Sequence, residues 1–71
     1  MNRSMQLRQL AEAERHISRG EQHISSQELR ITDLDRRGQD STLARALLET
    51  FLLVQAQHIA HRDHILRELG Q

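Results

Sequence analysis

A single interruption, Arg37-Gly38-Gln39-Asp40-Ser41-Thr42, divides a 71-residue chain that contains no proline. Gly38 supplies a residue free to adopt the left-handed conformation that ends a helix, and Asp40 or Ser41 supplies an N-cap for the next one. Everything on either side is compatible with helix. The expected fold is therefore all-α: an antiparallel two-helix hairpin spanning about residues 4–37 and 41–69, with Asn2 or Ser4 capping the first helix and Gly70 closing the second. With one aromatic residue and three glycines, the chain lacks what the strands and turns of a sandwich or barrel require. A single domain over 1–71 follows from the length.

The two predicted helices differ. In the first, Leu10, Ile17, Ile24 and Ile31 recur every seven residues, with Ala13, Gly20, Gln27 and Leu34 between them, which is a narrow coiled-coil seam. In the second, Leu48, Leu52, Ile59, Leu66 and Leu69 form a comparable seam. Leu43, Leu47, Phe51, Val54 and Ile65 widen it to about half the helix circumference. One partner helix cannot cover so broad a strip. The reading is a homodimer forming a four-helix bundle, its interface carried by Leu47, Phe51, Val54, His58 and Ile65.

Polar residues on the seams set further expectations. Folding the hairpin about Gln39 or Asp40 brings Gln27 and Gln55 to similar heights, where a shared hydrogen-bonded layer would fix the register. Gly20 then lies near His58 to Arg62, leaving room for long polar side chains, and His23 comes to about the height of His58.

Five histidines are the compositional oddity. Imidazole binds transition metals and changes charge near neutral pH, so His23, His58 and His61 are the candidate metal or pH-sensing residues. Their spacing matches no catalytic metal motif: His58 and His61 are three residues apart, without the intervening glutamate of zinc proteases, and there is no Glu-x-x-His pair. With no cysteine, thiolate chemistry is excluded, and no serine stands in a suitable turn. The expectation is a non-enzymatic protein that needs no cofactor.

Arg8, Arg15, Arg19, Arg30 and Arg37 share the back of the first helix and form a possible polyanion face, with Arg8 to Glu12 and Arg30 to Asp33 as expected ion pairs. Ten arginines are balanced by ten acids, however, so no net charge draws the chain to nucleic acid or an anionic membrane. The longest apolar run, Phe51 to Val54, is far too short for a signal core or a membrane span, and the expected location is the cytoplasm.

The segments Ala13-Glu14-Arg15-His16-Ile17, Gly38-Gln39-Asp40-Ser41, Ala46-Leu47-Leu48-Glu49-Thr50-Phe51 and His58-Ile59-Ala60-His61-Arg62-Asp63 resemble short helical-hairpin proteins, of unknown function, from GC-rich bacterial genomes. The resemblance implies an architecture and carries no activity. The functional expectation is a homo-oligomeric assembly or protein-interaction module. The alternatives are a small nucleic-acid-binding regulator using the arginine face, and a histidine metal or pH site at the dimer seam.

Overall fold

The computed structural model describes residues 2–70 as two helices, α1 (Arg3–Arg36) and α2 (Thr42–Leu69), with no strand among the described residues. Residues 1 and 71, the ends of the expected domain, lie outside them. The helices pack side by side in a rod 54 Å long and 14 Å across. Asn2 caps α1, its side-chain oxygen accepting from the Ser4 amide at 2.9 Å.

The turn is built in two stages. Gly38 takes φ +70°, its amide donating to Asp35 and the Gln39 amide to Leu34, which closes the last turn of α1 in the manner glycine favours. Residues 39–41 then run back alongside that turn. The Ser41 hydroxyl donates to Asp35 at 2.8 Å, Arg45 reaches the other Asp35 oxygen at 2.6 Å, and Asp40 accepts from the Thr42 amide at 3.0 Å, satisfying one of the free amides at the start of α2, whose N-cap residue is Ser41. Nothing crowds a side chain at position 38, so Gly38→Ala is expected to cost only the left-handed backbone, about 1 kcal/mol, with Gly38→Asn costing less in a thermal melt.

The Ser41 hydroxyl, and beyond it the Arg45 guanidinium, hold the Asp35 carboxyl below the ordinary range, against a smaller opposing effect of burial. A depressed folded-state value means that the contribution is fully present above the unfolded value, about 3.9, and is lost as pH falls through the folded one. Asp35→Asn should therefore melt below the wild type at pH 6. That difference should shrink as pH falls below the unfolded value of about 3.9.

Because residues 37–41 double back, α2 starts beside the last turn of α1, against Asp35. The register differs from that of a fold centred on Gln39 or Asp40 by a turn or more. Gln27 and Gln55 do not meet: Gln27 donates to the Ala44 carbonyl and Gln55 to the Ile17 carbonyl, each at 2.8 Å. Gly20 faces Gln55, not His58 to Arg62. His58 stacks on His16, and His23 lies against Phe51.

The seam of α1 follows the seven-residue pattern, with Ala13, Ile17, Gln27 and Ile31 buried and Leu10, Gly20, Ile24 and Leu34 half-buried. The seam of α2 departs from its leucines. Ala44, Leu48, Phe51, Gln55, His58, Ile65 and Leu69 face α1, while Leu52 and Leu66 stand on the flank about half exposed. Among the described residues the apolar core comprises Ala13, Ile17, Ile31 and Ile65, and no side chain is fully sealed from solvent.

Candidate interaction surface

In heptad terms the α1 seam occupies positions a and d, and the residues beside it fall into two rows. On one flank stand Glu14, Glu21, Glu28 and Asp35, seven apart and all acidic; on the other stand His16, His23, Arg30 and Arg37, also seven apart and none acidic. The corresponding flanks of α2 are apolar over their central stretch, with Leu52, Ile59 and Leu66 following Arg45 on one and Leu47 and Val54 preceding His61 and Glu68 on the other. His16 against His58 and His23 against Phe51 fix the register, each step of seven up α1 matching seven down α2. The same steps, begun at Asp35 with Arg45, carry Glu28 alongside Leu52, Glu21 alongside Ile59 and Glu14 alongside Leu66. On the opposite flank they carry Arg30 alongside Leu47, His23 alongside Val54 and His16 alongside His61.

Antiparallel coiled coils usually set opposite charges across these flanking positions. Only Asp35 and Arg45 do so on the acidic flank, and no cation among the described residues lies within ion-pair distance of Glu14, Glu21 or Glu28. Each of the two faces of the hairpin is thus a charged row on α1 beside an apolar row on α2.

Among the described residues, six of the nine exposed large apolar side chains lie on α2; the other three, Met5, Leu7 and Leu29, are on α1. Leu47 and Val54 on the basic flank are 44% and 43% exposed; Leu52 and Leu66 on the acidic flank are 49% and 45% exposed. Of the residues expected at a dimer interface, Leu47 and Val54 are available. Ile65 is not, because it is only 4% exposed and belongs to the core between the helices. Phe51 and His58 are half-buried within the hairpin, against His23 and His16. A groove of about 360 Å³ opens on this flank above Gly20, walled by His16, His23, Phe51, Val54 and His58.

The groove's floor is Gln55, and its geometry explains Gly20. A Cβ at position 20 would stand 1.8 Å from Gln55 Oε1, so only glycine lets the amide lie flat on α1 with its nitrogen on Ile17. The Oε1 atom is buried with no hydrogen-bond partner, facing the Cα–H groups of Gly20, which are weak donors at best.

The histidines do not assemble as expected. His16 and His58 stack with ring centroids 5.1 Å apart and planes 7° from parallel, and His61 lines the adjoining surface with Gln9 and Glu12. His23 lies about two turns further along, against Phe51 at 5.6 Å, so His23, His58 and His61 form no single centre. Among the described residues, no group of three or more His, Asp or Glu side chains is placed to hold a metal ion.

The five arginines of the candidate polyanion face are all exposed but do not share one face: Arg8, Arg15 and Arg19 project from the back of α1, whereas Arg30 and Arg37 stand in the flanking row beside the seam. Their ion pairs differ from those expected, since Asp33 pairs with Arg37 and Glu12 with His16. Glu12 and Asp33 stand within the arginine sector and break it into short runs.

No helix is long and apolar enough to cross a membrane among the described residues. Comparisons with protein-family models, curated proteins and solved structures find no match to this chain.

Proposed function

We propose that this chain is a non-enzymatic, homo-oligomeric helical module of the cytoplasm, whose smallest assembled form is a dimer of hairpins making a four-helix bundle. The observation that carries the reading is the half-exposed apolar row on each flank of α2, set against a core of four small or aliphatic side chains. Burying a leucine or valine completely is worth roughly 1.5 to 3 kcal/mol, so finishing the half that the hairpin leaves open contributes about 1 kcal/mol for each of Leu47, Leu52, Val54 and Leu66. A domain this small has a total stability of only a few kcal/mol. Association and folding are then one process.

A further contribution comes from length. Two long helices closed by one short turn, with few buried contacts along them, fray from the open end, and a second hairpin laid along the same axis suppresses that fraying. Light scattering tests the reading: the expected mass is at least twice that of one chain. A single-chain mass at every concentration would overturn it.

A further inference from the structure

We propose that neighbouring copies meet by unlike faces, the basic row of one α1 lying along the acidic row of the next α1 while the apolar rows of their α2 helices pack together. The inference rests on the self-association proposed above and specifies how the copies meet.

Both partners of this contact are on the same chain. The acidic face presents Glu14, Glu21 and Glu28 at seven-residue steps; the other face, for brevity the basic one, presents His16, His23 and Arg30 at the same steps, displaced by two residues along the helix, the guanidinium as a fixed charge and each imidazole as an N–H donor to a carboxylate. At 1.5 Å per residue the displacement is about 3 Å, small enough for side chains of this length to bridge when the two α1 helices run parallel. The same superposition brings Leu47 and Val54 of one copy over Leu52 and Ile59 of the other, with His61 over Leu66, so that apolar side chains meet along the stretch where Glu21 and Glu28 meet His23 and Arg30.

Like-face packing does the opposite. With α1 beside α1, a two-fold contact through the acidic faces sets three glutamates against three glutamates. Through the basic faces it sets the arginine and histidine rows together, relieved only by Glu12, which is already engaged with His16. Charge rows flanking an apolar seam select partners and orientation more than they add affinity, and here they select the unlike pairing. Such a contact leaves an unlike face free at each end of the dimer, so it can recruit further copies.

Two charge-reversed chains test this. One carries Glu21→Arg and Glu28→Arg; the other carries His23→Glu and Arg30→Glu. All four positions are exposed. Each variant alone is expected to self-associate at least about tenfold more weakly than wild type, and an equimolar mixture to recover mixed assemblies. The wild type supplies a test free of any folding defect: sodium chloride should weaken its self-association by screening the attraction between rows. Association that salt strengthens or leaves unchanged, a reversed chain that assembles alone as wild type does, or a mixture that fails to recover would overturn the unlike-face contact. An oligomeric wild type would still uphold self-association itself, whereas a monomeric wild type removes both.

Discussion

Gly20→Ala is expected to destabilise the hairpin, even though alanine in a helix interior ordinarily gains about 1 kcal/mol over glycine. The new methyl group would overlap the Gln55 amide, 1.8 Å from its oxygen. The amide must leave its slot, losing its bond to the Ile17 carbonyl. Displacing a buried amide from its hydrogen bond costs roughly 1 to 3 kcal/mol when no replacement partner is at hand, which outweighs the helical gain. The same substitution made in a Gln55→Ala background meets no amide, and there it should stabilise by about 1 kcal/mol from helix propensity alone. The sign of the effect therefore reverses with the residue at position 55, which chemical denaturation of the four proteins measures directly. Equal effects in both backgrounds would mean that Gln55 does not occupy the space above Gly20.

Leu47→Glu combined with Val54→Glu should dissolve the assembly. Both side chains are more than two-fifths exposed in the hairpin, and glutamate is a good helix former, so in an isolated hairpin the double substitution would change stability little. At an interface it places two charges where apolar side chains close against a neighbour. The dissociation constant is expected to rise at least about a hundredfold, since each buried and unpaired carboxylate opposes association by several kcal/mol before it relaxes. The melting temperature should fall with it. Leu53→Glu is the control: Leu53 is 68% exposed on the face of α2 turned away from both flanks, and its replacement should leave mass and melting temperature as they were. A double variant that melts like wild type would show that solvent, not a second chain, covers Leu47 and Val54.

Much of this fold is legible in the sequence, because the features that determine it are local. The glycine-centred break places both helix ends to within a residue, and the seven-residue recurrence of Leu10, Ile17, Ile24 and Ile31 identifies the buried side of α1. The register is harder to read, since it depends on the path of residues 37–41. A loop treated as a symmetric bend centres the hairpin near Gln39. The actual chain uses Ser41 and Arg45 to tie itself back to Asp35, and along the seam the contacts fall about a turn or more from those of a symmetric bend. From that shift follow the His16 and His58 stack, the meeting of Gln55 with Gly20, and the separation of Gln27 from Gln55.

The seam of α2 is obscured for a different reason. Hydrophobicity favours Leu52 and Leu66 for the buried positions, yet Gln55 and His58 hold those places because glycine and histidine stand opposite them on α1. The leucines are displaced to the flank as a result. Ile65, which the pattern assigns to a dimer interface, is drawn into the core by the same rotation. The acidic row is fully present in the sequence, but its meaning depends on the seam beside it and on the apolar residues that the register brings alongside.

Self-association joined to folding is the central claim, and sedimentation equilibrium combined with thermal melts over about a hundredfold range of protein concentration tests it most directly. The mass should be at least that of two chains at the upper end, and the melting temperature should rise steadily with concentration. A single-chain mass throughout, with a cooperative melt whose midpoint does not move, would contradict it.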